Sequence, residues 1–154
     1  MSERRAINTG FTQRVVVLQG SFDPLHPGHI ELMSAAKRHG DLVVVGVHSD
    51  AFIREKRSSP SFQPLYDRIR LVESIKYPDV VLASDDELDL CMTAARIFNV
   101  ENKNITYCTS RTTRLLRIAE PLTAAGFQVK GAVGGVPSWD RSRTLLEDYK
   151  NDMD

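Results

Sequence analysis

The feature that most restricts the fold is a set of short runs in which every residue is apolar. Val15-Val16-Val17-Leu18 and Leu42-Val43-Val44-Val45-Gly46-Val47 lack the polar alternation of a strand with one wet face, so both faces of each need cover. Val80-Val81-Leu82-Ala83 repeats the pattern, and a fourth and a fifth strand are expected over 105–108 and 127–133. Segments of helical period lie between them. Residues 27–39 carry Ile30, Met33 and Ala36 on one stripe, and 65–77 run through Leu65, Ile69, Val72 and Ile75. Asp86 is placed to cap a helix reaching about Asn99, with Leu88, Cys91, Ala95 and Phe98 inward. Residues 112–125 follow, with Leu115, Ala119 and Leu122 on one face and Pro121 as a candidate bend, and 141–150 give a last helix.

Strands that alternate with helices build right-handed βαβ units. The fold class expected is therefore α/β, a doubly wound parallel five-stranded sheet. One domain over 14–154 is the reading, preceded by a polar segment, 1–13, expected to be partly disordered and without the apolar stretch of a signal peptide. Residues 51–64, polar and containing Ser58-Ser59-Pro60-Ser61, are expected as an exposed loop.

Twenty Lys and Arg balance twenty Asp and Glu, so no overall field draws the chain to nucleic acid or to an anionic membrane. A small phosphorylated ligand held by a few local cations is compatible with that balance. Cys91 and Cys108 have neither CxxC spacing nor a neighbouring His, which excludes a zinc site and leaves two buried, reduced thiols of a cytoplasmic protein.

In a doubly wound sheet, ligands bind beyond the carboxyl ends of the strands, where strand order reverses. The loop after the first strand is the most unusual part of the sequence: Gly20-Ser21-Phe22-Asp23-Pro24-Leu25-His26-Pro27-Gly28-His29. Gly20 allows close approach of backbone to ligand. Pro27 suits the first helical position and Gly40 the position just past the end, with Lys37, Arg38 and His39 in the last turn. The free N–H groups of that helix start make an anion site, and His26 and His29 bracket it as donors to phosphate oxygens. Such a set suits phosphoryl or nucleotidyl transfer, in which protein groups position the reactants and neutralise charge. The plainer alternative is a pair of surface histidines capping a helix.

These residues resemble the Gly-Thr/Ser/Cys-Phe-Asp signature and His-x-Gly-His motif of the cytidylyltransferase-like nucleotidyltransferases. Ala36-Lys37-Arg38-His39-Gly40-Asp41, the run 42–47 and Ser49-Asp50 are similar to a stretch of the glycerol-phosphate and ethanolamine-phosphate cytidylyltransferases and of ADP-heptose synthase adenylyltransferase domains. Leu65-Tyr66-Asp67-Arg68 resembles the family's next helix start, and Lys76-Tyr77-Pro78-Asp79-Val80-Val81 its following segment. The likeness covers roughly residues 14 to 83.

The resemblance implies a Rossmann-like nucleotidyltransferase fold and an enzyme that moves a nucleotidyl group, CMP from CTP first, to a small phosphorylated acceptor with release of pyrophosphate. ATP as donor, or a non-catalytic nucleotide-binding module, are the alternatives. It makes His26, His29 and Lys56 the catalytic candidates. Gly20, Ser21, Phe22, Asp23, Gly28, Arg68, Ser138, Arg141, Ser142, Arg143 and Thr144 are the nucleotide-binding candidates. Asp23 is read as shaping its loop rather than acting as a base. Lys56 is otherwise a solvated lysine and Arg68 a partner in a surface i,i+4 pair. Mg2+ is implied as company for the triphosphate, with no metal ligands from the chain. A homodimer through residues 77–81 is implied as well. Thr109-Ser110-Arg111 stand where the family usually has Gly-x-Asp, and Trp139 is read either as a base-stacking group or as a loop anchor.

Overall fold

The computed structural model of the chain describes residues 12–110 and 112–131. Strands β1 (Val15–Gly20), β2 (Leu42–Val47), β3 (Val80–Ala83), β4 (Ile105–Cys108) and β5 (Gln128–Lys130) form one parallel sheet ordered β3-β2-β1-β4-β5. Helices α1 (Pro27–Lys37), α2 (Asp50–Arg57), α3 (Leu65–Glu73), α4 (Glu87–Phe98) and α5 (Thr112–Ala124) connect them. The doubly wound five-stranded sheet expected from the apolar runs is the observed fold. Most of the N-terminal segment, the end of the expected fifth strand, and the expected helix 141–150 lie outside the described residues, as do Ser138, Trp139, Arg141, Ser142, Arg143 and Thr144.

Both faces of the central strands are covered, which is why β1 and β2 need no polar alternation. Val16, Leu18, Val43, Val45 and Val47 pack with Met33 and Ala36 of α1 and Val72 of α3. Val15, Val17 and Val44 turn the other way, onto Leu90, Ala94 and Phe98 of α4 and Ile118 and Leu122 of α5. Strand order reverses between β1 and β4, so the carboxyl ends of those two strands frame a crevice. Among the described residues no helix is long and apolar enough to cross a membrane.

Three expectations need correction. Residues 50–57 are a helix, not part of an exposed loop. Ser49 caps it by accepting from Phe52 N at 3.1 Å, and its Arg, Glu and Lys residues are good helix formers. With only Ile53 fully buried, its apolar period is too thin to read. Helix α3 ends at Glu73 rather than near Tyr77, where Ser74 folds back on Arg70 through both its N–H and its hydroxyl. Gly40, finally, does not have the left-handed backbone of a helix terminator, since the only described glycine with positive φ is Gly126. Packing dictates it instead. A Cβ there would lie 2.5 Å from Val16 Cγ2 and 3.0 Å from the Arg14 carbonyl oxygen.

Gly40→Ala is accordingly expected to destabilise the fold by about 1–3 kcal/mol, the usual cost of overpacking. Urea denaturation monitored by circular dichroism measures it. An unchanged midpoint would show that β1 yields at this contact.

Candidate active site

The crevice beyond β1 and β4 is a cleft of about 730 Å³, within the ordinary range for small-molecule sites. Gly20, Ser21, Phe22, Asp23, His29 and Lys56 line it among the expected residues, whereas His26, Gly28 and Arg68 do not.

The start of α1 is built from the two histidines themselves. His26 is the N-cap, and its Nδ1 accepts from Gly28 N at 3.1 Å, while His29 Nδ1 accepts from His26 N at 3.2 Å. This is the reciprocal logic of a capping box made by two imidazoles. It corrects the expectation of free N–H groups at this helix start. Pro27 has none, Gly28 N is held by His26 Nδ1, and His29 N donates to the His26 carbonyl at 3.0 Å. The anion-binding capacity moves to the rings. Each Nδ1 accepts a backbone hydrogen, so each neutral ring carries its proton on Nε2. The rings stack at 3.7 Å, with His26 buried and His29 on the cleft wall. Burial first, and the neighbouring His26 second, lower the His29 imidazole to about 3. His29 is thus a neutral donor throughout the physiological range.

Asp23 holds the loop, as its place in the signature suggested. Its carboxylate is 1% exposed and accepts from Phe62 N and Gln63 N, each at 2.8 Å, and from Arg57 Nη2. Phe22 sits in the left-handed region at φ 51°, an uncommon and costly conformation for an aromatic residue. Its buried ring holds it there, edge-on to His29 at 5.0 Å and so close to Gly20 that a Cβ on the glycine would meet it at 3.1 Å.

Arg68 is neither a surface residue nor a cleft residue. It is fully buried, and its guanidinium donates to the Ser21 carbonyl (2.9 Å), the His48 carbonyl (2.7 Å), the Gln63 carbonyl (2.8 Å) and Asp50 Oδ1 (2.6 Å). Lys56, displaced from the expected loop to the last turn of α2, faces the cleft with its Nζ 5.4 Å from the Phe52 ring centroid. Arg57 and Arg117 add cations to the wall, opposed by Asp85 and Glu87. Asp85 is itself engaged, accepting from Ser49 N and Oγ at 2.7 Å each. Burial raises the thiols of Cys91 and Cys108 to about 12, consistent with inert core residues.

Several cleft residues were not read from the sequence. Arg117 comes from α5, on the wall beside Thr109 and Ser110, which stand after β4 where the family usually has Gly-x-Asp; the switch-point rule could have directed attention to it. His48 and Gln19 carried no sequence signal at all. The His48 ring, just past the end of β2, faces Gln19 Nε2 at 2.9 Å and Ser21 Oγ at 3.0 Å.

The chain, whose cleft lies at the switch point of a doubly wound sheet beside Gly20-Ser21-Phe22-Asp23 and a histidine-capped helix, matches the cytidylyltransferase-like family model over residues 17–151. The chain belongs to that family. Its members include nucleotidyltransferases of several kinds. The chain is 42% identical over 74 residues to the bifunctional protein HldE of Streptomyces coelicolor, which covers 47% of this chain and 16% of that protein. It is 46% identical over 59 residues to the phosphopantetheine adenylyltransferase of Methanopyrus kandleri, covering 38% of this chain and 37% of the relative. The matched segment therefore spans well under half the length of either protein. A lipopolysaccharide core biosynthesis protein from Thermoplasma volcanium shares the fold, with TM-score 0.59 and 24% identity over 77% of this chain and 93% of its own.

The depressed imidazole ties stability to pH. Below about 6.5 the unfolded chain binds a proton at residue 29 that the folded chain takes up only near 3. Stability is expected to fall as pH drops from 6.5 toward 3, and His29→Asn should flatten that slope in denaturation experiments run across the range. Equal slopes would mean that His29 protonates freely in the fold.

Arg68→Met should lower stability by about 2 kcal/mol, because one buried and two partly buried carbonyls lose their donor. Thermal denaturation of the variant provides the measure, and wild-type stability would refute the linking role.

Proposed function

We propose that this domain transfers a nucleotidyl group from a nucleoside triphosphate to a small phosphorylated acceptor. An acceptor phosphate oxygen attacks the α-phosphorus, the bond to the β-phosphate oxygen breaks, and pyrophosphate leaves with the electron pair. No covalent intermediate with the chain is required. The observation that carries this reading is the neutral, self-capped histidine pair beside Lys56 at the carboxyl end of β1.

His29, with Nδ1 occupied, offers only its Nε2 hydrogen. It serves as a donor to the charge that develops on the transferring phosphate, not as a general base. His26, stacked behind it, orients that ring and caps α1. Lys56 adds a positive charge on the triphosphate, and Gly20, Ser21 and Phe22 form the wall along which the phosphates lie. Asp23, Gly28 and Arg68 act through the loops they hold. The described residues contain no cluster of three His, Cys, Asp or Glu suited to a metal ion, so among them there is no cage for magnesium. The fit is to magnesium carried by the triphosphate's own oxygens, whose charge it neutralises.

For the donor we favour ATP. The Phe22-Asp23-Pro24 sequence resembles the adenylyltransferases, and the Methanopyrus kandleri relative is itself named as one. The likeness of residues 36–56 to cytidylyltransferases supports CTP as the competitor. The homodimer reading stands on resemblance together with the position of β3, which contains Val80 and Val81 and lies at a sheet edge.

Pyrophosphate release with ATP or CTP and a panel of phosphorylated alcohols tests the proposal. ATP-dependent release is expected, and His29→Ala should lower kcat on the order of 10²- to 10³-fold while the fold persists. Nucleotide binding without release for any acceptor would favour a binding module instead.

A further inference from the structure

We propose that His48 and Gln19 are positioning residues that make the Ser21 hydroxyl a fixed hydrogen-bond donor to the phosphate in the cleft. The inference rests on the nucleotidyl-transfer reading for its ligand, but its structural half stands alone.

With the Gln19 amide oriented so that Nε2, which has only hydrogens to offer, lies 2.9 Å from His48 Nε2, and Oε1 is left buried without a partner, that ring nitrogen accepts. The proton of the neutral ring is then on Nδ1, 3.0 Å from Ser21 Oγ. Ser21 accepts from the ring and keeps its own hydrogen for another acceptor. Because Ser21 lines the cleft at the end of β1, a ligand oxygen is the acceptor available there. In the opposite tautomer Ser21 would donate to Nδ1, and an incoming phosphate would meet oxygen lone pairs instead of a hydrogen.

The ring is held for this task. It is 4% exposed, and the Phe52 ring lies against it at 4.3 Å. The residue's N–H donates to the Gly20 carbonyl at 2.9 Å, and its carbonyl accepts from Arg68 Nη1 at 2.7 Å. Arg68 also grips the Ser21 carbonyl at 2.9 Å, so one buried guanidinium fixes the separation of both ends of the Ser21–His48 bond. Gln19 in turn is anchored within β1, buried in register with Gly46.

Nitrogen-15 NMR of histidine-labelled protein, without ligand, reads the ring directly. Protonated Nδ1 with bare Nε2 is expected for His48. Gln19→Met, which removes the selecting donor at similar volume, should give a mixture of both states. A bare Nδ1 in the wild-type protein overturns the proposal whether or not the chain turns over. The expected ring state in a protein that releases no pyrophosphate would instead count against the nucleotidyl-transfer reading.

Kinetics supply the second arm. His48→Phe and Ser21→Ala should each lower kcat on the order of 10²-fold, with KM for ATP changed far less. His48→Asn, whose amide hydrogen can take the place of Nδ1–H, should recover most of the loss. In the Ser21→Ala background His48→Phe should cost nothing more. An undiminished loss in that background, or His48→Asn as slow as His48→Phe, overturns the relay. Should His48→Phe fail to fold, His48→Asn and the NMR measurement still decide.

Discussion

The site depends on one buried cation. Arg68 contributes no charge to the cleft surface, yet it joins the loop after β1, the end of β2, the 58–64 connection and the start of α2 through four hydrogen bonds. A planar guanidinium with five donors suits that work, whereas a lysine would present a single point charge. Asp50, half exposed, supplies the counter-charge. Burial works to raise the Asp50 carboxyl, and the hydrogen bond and charge of Arg68 overcome it, holding the group below its ordinary value. Backbone carbonyls turned inward at the ends of parallel strands need donors, and here one side chain serves two of them, Ser21 and His48, together with the Gln63 carbonyl of the 58–64 connection.

Asp23 plays the complementary part. Its buried carboxylate gathers two backbone N–H groups and Arg57 and ties the β1 loop to the segment after α2. With an anion and a cation each stitching loops from opposite ends, the strained Phe22 backbone is over-determined by its surroundings. The outcome is a cleft whose donors are fixed before any ligand arrives, which suits phosphate transfer chemistry. The histidine pair follows the same principle. By capping their own helix, His26 and His29 fix both tautomers and leave neutral rings, avoiding two imidazolium charges 3.7 Å apart.

Much of this was legible in the chain. The fully apolar runs fixed the parallel sheet, because a strand without polar alternation requires cover on both faces. Asp86 and Asn99 bounded α4 as expected, with the Asp86 carboxylate on Leu88 N and Asp89 N and Asn99 in a left-handed cap. The His-x-Gly-His stretch located the cleft, because a helix start after the first strand must lie at the carboxyl edge of the sheet. Helix α2 escaped notice because its apolar face is only one fully buried residue wide.

Sequence alone therefore determined the sheet, its winding and the loop that opens the site, all of which follow from local period and residue type. Tertiary structure alone decided the roles. Whether Arg68 meets solvent, ligand or backbone depends on where residues 21, 48, 50 and 63 converge, 5 to 47 positions away along the chain. The same holds for His48, whose partners Gln19 and Ser21 lie on the neighbouring strand and its loop, 29 and 27 residues distant. Hydrogen bonds have a range of about 3 Å, so a side chain acquires its chemistry from whatever the folded chain brings within that reach.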